Sequence, residues 1–214
     1  MSAPFTLPAS WPMFRTLVGI SVICAVLIVF VFQLTAAPIA QNQAEYLERA
    51  IVSIFPRMQK KVAYQQTDSG QFKSQESGPL YAVYDEQQEL LGFAIKAQGM
   101  GYQDTIQLLY GYAPQQQALV GIKILSSRET PGLGDRIGKD PQFLRNFEQL
   151  ALMLSDDNSR ILHSIESVKA GKKTEAWQID SISGATISSR AVADILRTST
   201  ERWVPALASQ LEVF

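Results

Sequence analysis

From Leu17 to Leu34 the chain reads LVGISVICAVLIVFVFQL, with no charge and only Gly19, Ser21 and Gln33 interrupting its apolar character. A helix rises about 1.5 Å per residue, so roughly 20 such residues cross a hydrocarbon layer of about 30 Å. The run exceeds the roughly 7–15 residues of a signal-peptide core, and Thr35-Ala36-Ala37 makes a poor cleavage site. The pattern therefore predicts a retained single-pass membrane helix, with Trp11 and Arg15 at its N-terminal interface. Arg15 precedes the span, whereas Glu45, Glu48 and Arg49 follow it. That charge bias puts the N-terminus in the cytoplasm and the remainder outside. The implied division is 1–37, cytoplasmic N-terminus and anchor, and 38–214, an extracytoplasmic domain.

Beyond Pro38 the pattern changes to that of a water-soluble domain. Leu47, Ala50, Ile51, Ile54, Phe55 and Met58 recur at helical spacing and predict an amphipathic helix interrupted near Pro56. Leu80 to Val83, Leu91 to Ala97, Thr105 to Tyr112 and Leu119 to Leu125 are short runs rich in Val, Ile, Leu and Tyr, joined by close turns. They predict an antiparallel meander. Phe143, Leu144, Phe147 and Leu150 fall on one face of a helix expected over 141–154. Ala191, Val192, Ile195 and Leu196 mark a last helix. Grouped strands with helices on both sides give an α+β layer. No internal repeat is present.

Composition narrows the chemistry. The net charge of −1 offers no attraction to nucleic acid. A single cysteine, Cys24, lies inside the apolar run and excludes a disulfide framework or a cysteine metal cage. A single histidine, His163, leaves no material for a histidine-ligated metal or a Ser-His-Asp triad. Redox chemistry would have to come from an organic cofactor.

Three segments carry that possibility. Asp180-Ser181-Ile182-Ser183-Gly184-Ala185-Thr186 precedes the last helix, with Ser188 and Ser189 placed to cap it. Gly184 and Ala185 let a bulky phosphate approach the backbone, and the start of a helix favours an anion. The competing reading is an ordinary strand-to-helix turn capped by Thr186. Ser126 to Gly134 reads SSRETPGLG, in which Pro131 sets a rigid turn and Gly132 and Gly134 leave bare backbone for a flat ring. Glu129 and Thr130 are polar candidates at its rim, with Leu133 between the glycines. Gly99-Met100-Gly101-Tyr102 opens the strand at Thr105 and offers Tyr102 to a ring.

In this order, behind a membrane helix, the three segments resemble the FMN-binding domain shared by the G subunit of Rnf electron-transport complexes and the C subunit of sodium-pumping NADH:quinone reductases. ETPGLGD (129–135) and DSISGAT (180–186) are its most specific elements, and the resemblance runs from the anchor to the last helix. Compactness and the segment IKILSSRETPGLGDRI (122–137) favour the Rnf G subunit. The resemblance implies FMN joined by a phosphoester to Thr186, with Ser183, Gly184, Ala185, Glu129, Thr130, Gly132, Leu133, Gly134 and Tyr102 around it. It implies no catalytic residue and no metal. A flavin transferase would use Thr186 as its substrate and read Asp180, Gly184 and Ala185.

The same resemblance implies an electron relay between reduced ferredoxin and NAD, coupled to sodium or proton translocation. Its partners would be the other membrane and peripheral subunits of the complex, with the FMN domain on the outer face of the cytoplasmic membrane. Rnf G subunits often carry histidine just before the glutamate, where this chain has Ser127-Arg128. Arg128 is then expected to stabilise an anionic reduced flavin. The rivals are the quinone-reductase C subunit, a free-standing anchored FMN reductase, and an anchored domain with no cofactor.

Overall fold

The structure, a computed structural model, describes residues 11–67 and 70–214, so the cytoplasmic segment expected before Trp11 lies outside the described residues. Two compact units divide the chain, Met1–Tyr46 and Leu47–Phe214. Helix α1 spans Trp11–Ile54, and its apolar stretch is long and apolar enough to cross a membrane. Every described side chain up to Tyr46 is exposed, a surface that over Leu17–Leu34 suits lipid rather than water. Pro38 lies inside α1 without ending it, so the separate helix expected after Pro38 is a continuation of the same one. A proline there removes one helical hydrogen bond and bends the helix without necessarily stopping it.

The second unit is built on one antiparallel sheet. The four expected strands are present, preceded by two that the pattern did not reveal. In chain order they are β1 (Lys60–Gln66), β2 (Phe72–Gln75), β3 (Leu80–Tyr84), β4 (Leu90–Met100), β5 (Thr105–Ala113) and β6 (Ala118–Ser126). With the short β7 (Leu150–Ala151) the order is β2-β1-β3-β4-β5-β6-β7. β1 and β2 bury only Ala63 and Phe72 of their side chains, so no alternation announces them. A separate parallel pair, β8 (Glu166–Val168) and β9 (Gln178–Asp180), leads into the segment 180–186.

Side chains alternate across the sheet, and each face has its own cover. Leu80, Ala82, Phe93, Ile95, Ile106, Leu108, Tyr110 and Tyr112 point into the main core. Tyr81, Val83, Ala94 and Leu109 point to the other face, where Ala50, Ile51 and Phe55 from the end of α1 pack. The expected amphipathic helix is therefore real, and it covers one face of the sheet. Helix α3 (Thr186–Ala208) covers the other with Val192, Leu196, Trp203, Val204 and Leu207, each worth about 1.5–3 kcal/mol on full burial.

The helix expected over 141–154 is a correction. Only α2 (Pro141–Arg145) is helical there. Asn146 Nδ2 turns back to the Phe143 carbonyl at 3.0 Å and also bonds Asp180 O at 3.2 Å, drawing the chain out of the helix. Leu150 and Ala151 then pair with Leu119 and Ala118 at the sheet edge. Phe143, Phe147 and Leu150 are all buried, so the apolar spacing reported burial and misreported the period.

Leu196 is fully buried between α3 and the sheet. Leu196→Ala should lower the unfolding free energy by about 2–5 kcal/mol, measured by denaturant titration of the detergent-solubilised chain. A change below about 1 kcal/mol would mean that α3 does not pack as described.

Candidate functional site

Glu129 ties the three motif segments together. It is 5% exposed, just past the end of β6. Oε1 accepts from the Tyr102 amide at 2.8 Å and the Gln103 amide at 3.1 Å; Oε2 accepts from Ser188 Oγ at 2.5 Å. One carboxylate thus joins the G-x-G-Y segment, the ETPGLG loop and the first turn of α3. Glu129 was expected at the rim of a ring site; it lies beneath the rim, with both oxygens bonded to protein.

Two glycines close around that carboxylate. A Cβ on Gly101 would strike Oε1, and one on Gly134 would meet Oε2 at 2.5 Å and Ser188 Oγ at 2.7 Å. Gly134 is therefore not the open backbone that was expected. Gly132 is: nothing lies within 4 Å of its would-be Cβ, and its φ is +76°. Leu133 N–H donates to Thr130 O at 3.2 Å across Pro131-Gly132, which makes a type II turn with Pro first and Gly second. Asp135 Oδ1 accepts from Gly132 N–H at 2.7 Å and holds the turn from below. Pro131, Gly132 and Leu133 are exposed, and Thr130 is half-buried.

The segment 180–186 ends in a second reverse turn. Ala185 N–H donates to Ile182 O at 3.0 Å, with Gly184 at φ +84° and open space beside it. Helix α3 begins at Thr186, and its N-cap position is the buried Ala185, which provides no side-chain cap. The expected serine caps are a second correction. Ser188 serves Glu129, while Ser189 Oγ donates to Ala185 O and accepts from Ile182 N–H. The first helical bond is Ser189 N–H to Ala185 O, so the amides of Thr186, Ile187 and Ser188 have no acceptor within the helix. Thr186 is exposed, and its hydroxyl makes no hydrogen bond among the described residues.

Charges that the sequence reading passed over surround this turn. Arg136 Nη1 donates to Ser183 O at 3.2 Å and Nη2 to Asp140 Oδ2 at 2.7 Å. The Arg136 hydrogen bond holds the Asp140 carboxyl below its ordinary range, and the Lys139 hydrogen bond does the same for Asp135. Asp180 Oδ1 accepts from the Lys172 and Lys173 amides, so this motif residue shapes the 172–173 loop. Burial lowers the Lys173 pKa, opposed by the Asp180 charge. Arg128 is exposed and pairs with Asp104 at 3.3 Å, which offsets part of the charge expected to act on a flavin. The sequence signal for Arg136 was its place directly after GLGD.

Met100, Tyr102, Leu133 and Ile187, each at or next to a junction residue in the chain, are exposed although three are large and apolar and the fourth is aromatic. Bare turns, uncapped amides, a free hydroxyl and exposed apolar side chains fit a flat aromatic group carrying a phosphate. Among the described residues no cluster of His, Cys, Asp and Glu would hold a metal ion.

Residues 101–201 match the FMN-binding domain family. Along most of its length the chain is similar to the G subunit of ion-translocating oxidoreductase complexes. The Methanosarcina acetivorans G subunit is 28% identical over 189 residues, 87% of this chain and 90% of that protein. The Shewanella piezotolerans G subunit is 27% identical over 189 residues, 84% of this chain and 82% of its own. A Haemophilus influenzae G subunit is 35% identical over 99 residues, 46% of this chain and 43% of its own. These relatives bear out the resemblance drawn from the motifs. In fold, the chain is like the C subunit of the Na(+)-translocating NADH-quinone reductase of Parabacteroides distasonis, with a TM-score of 0.57 and 21% identity over 72% of this chain and 79% of that one.

Glu129→Ala strands two amides and a hydroxyl and should cost about 3 kcal/mol or more. Glu129→Gln keeps an acceptor for both amides and should cost less than half as much, which paired unfolding curves would resolve. Equal costs would show that the carboxylate charge, not its bonding geometry, holds the three segments.

Acid should loosen the neighbouring turn. The Asp135 and Asp140 carboxyls titrate lower in the folded chain than in the unfolded one. Their contribution is present at neutral pH and is lost as pH falls below about 4 through those depressed values. Amide exchange at Gly132, Gln142 and Phe143, corrected for intrinsic rates, should rise across that window while the sheet stays protected.

Proposed function

We propose that this chain is the flavin-carrying electron-transfer subunit of a membrane-bound Rnf-type oxidoreductase complex, with FMN joined to Thr186. The carrying observation is the exposed, unbonded Thr186 hydroxyl at an uncapped helix start, beside the open backbone of Gly184. The uncapped amides of Thr186, Ile187 and Ser188 would face the phosphate, where the helix dipole favours negative charge. Ser183, Gly184 and Ala185 give the phosphate room, Gly132 presents bare backbone, and Tyr102 and Leu133 offer faces for the ring. Thr130 and the buried Glu129 and Gly134 hold that frame in shape.

Attachment requires an activated donor, because a phosphomonoester does not transfer to an alcohol in water without a better leaving group. A flavin dinucleotide supplies one. The Thr186 Oγ1–phosphorus bond forms, the pyrophosphate phosphorus–oxygen bond breaks, a nucleoside monophosphate departs, and the hydroxyl proton passes to a base of the transferase. The product is a phosphodiester with one negative charge. Once bound, FMN takes up and releases electrons, and the protein contributes position, polarity and access.

The wider assignment follows from relatives named as subunits of ion-translocating complexes. In it, residues 1–37 anchor the chain and 38–214 form the flavin domain on the outer face of the cytoplasmic membrane, as the single Arg15 before the span suggests. Electrons pass between ferredoxin and NAD through the other membrane and peripheral subunits, with ion translocation linked to their flow. The likeness to a quinone-reductase protein is one of fold, whereas the relatives in sequence are G subunits, which favours the Rnf reading.

Thr186→Val, co-expressed with a flavin transferase, should give a folded chain with no flavin fluorescence on a denaturing gel, while the wild type shows a fluorescent band. The exposed site predicts a stability change within about 0.5 kcal/mol. A fluorescent valine variant would place the attachment elsewhere, and a dark wild type would remove covalent flavin altogether.

A further inference from the structure

Ser183 and Gly184 occupy the centre of the acceptor turn, whose ends are joined by Ala185 N–H to Ile182 O. The peptide between two central turn residues is the part of a turn most able to flip, because the closing hydrogen bond does not involve it. Here its carbonyl is held. Arg136 Nη1 donates to Ser183 O, and the same guanidinium is fixed by Asp140 at 2.7 Å. Asp140 is fixed in turn, since its Oδ1 accepts from the Gln142 and Phe143 amides at the start of α2. Phe143 is buried in the main core. An unbroken line of contacts therefore runs from the core through Phe143, Asp140 and Arg136 to the middle of the acceptor turn.

We infer that Arg136 is a positioning residue for flavin attachment: by holding the Ser183 carbonyl it fixes the Ser183–Gly184 peptide and sets the turn that presents Thr186. In a planar trans peptide the carbonyl and the N–H point oppositely. Holding Ser183 O toward Arg136 therefore directs Gly184 N–H away from the guanidinium. Gly184 is exposed with open space about it, so that amide is available to an incoming phosphate. The task needs arginine, because its planar fork engages two acceptors in fixed relation, whereas a lysine ammonium is a point charge on a flexible stem. This inference rests on the reading of Thr186 as the attachment point.

The test uses the full chain in detergent with a purified flavin transferase and flavin adenine dinucleotide. Covalent fluorescence is followed in time for the wild type, Arg136→Met, Arg136→Lys and Arg145→Met. Backbone nitrogen relaxation at Ser183 and Gly184, read as order parameters, is measured beforehand, without flavin. Arg136→Met should lower kcat/KM for attachment about tenfold, the loss expected for one charge-assisted hydrogen bond, and lower the order parameter at Gly184. Arg136→Lys should recover less than half of the rate. Arg145→Met removes a charge from the adjoining helix and should behave as wild type; an equal loss there would reduce the effect to general attraction and overturn the inference. So would wild-type attachment by Arg136→Met. Slower attachment with unchanged order parameters would also overturn it, assigning Arg136 to the phosphate itself. If the wild type takes no flavin, the Thr186 reading falls first and this inference with it.

Discussion

The site depends on one buried carboxylate. Removing a carboxylate from water costs several kcal/mol unless its oxygens are met by donors. For Glu129 those donors are two backbone amides and a hydroxyl, and among the described residues no cation pairs with it. Donors of that kind have to be held at fixed distances to serve. The chain at Tyr102, the loop after β6 and the first turn of α3 are therefore obliged to meet, although Glu129 is 27 residues from Tyr102 and 59 from Ser188. Gly101 and Gly134 follow from the same constraint, because any side chain there would occupy the space of the carboxylate.

What lies above this junction is built on the opposite principle. Below, polar groups are satisfied and side chains are packed; above, two glycine turns stand open, Thr186 has a free hydroxyl and apolar side chains face solvent. A site that must exchange electrons with other proteins cannot enclose its cofactor, and an open site holds a noncovalent ligand weakly. The proposed covalent tether at Thr186 would resolve that conflict. It would replace binding affinity with a fixed local concentration, and the surrounding residues would need only to orient the group.

Much of this was legible in the sequence because the relevant signals are local. The central strands announced themselves by short runs rich in Val, Ile, Leu and Tyr between close turns, α3 by its apolar stripe, and both turns by Pro-Gly and Ser-Gly-Ala in fixed positions. What was not legible depended on contacts between distant residues. β2 is an edge strand and β1 lies next to it, each with one buried side chain, so they have no period to read. The 141–154 stretch has helical spacing, yet Asn146 and the edge of β6 pull it apart. The roles of Glu129 and Gly134 were misplaced for the same reason: a Glu and a Gly in a Gly-Pro loop look like rim residues until Ser188 and Tyr102 are brought against them. Arg136 was overlooked because nothing local says that its guanidinium reaches Ser183.

The heptapeptide 180–186 itself divides between residues that set shape and residues that face outward. Asp180 caps the amides of Lys172 and Lys173, and its own backbone pairs with Asn146 on both sides. Ser181 is buried against Ser167, and Ile182 and Ala185 are buried too. Only Ser183, Gly184 and Thr186 face outward. A flavin transferase of the kind proposed would therefore meet a small surface: one turn, one hydroxyl and the start of one helix. Most of the residues that make the motif recognisable in a sequence are inside, and they act by fixing where that hydroxyl stands. The specificity of the motif is thus largely a specificity of shape, reached through Asn146, Asp180, Ser189 and Glu129, with Thr186 as the one residue whose own chemistry the proposed attachment would use.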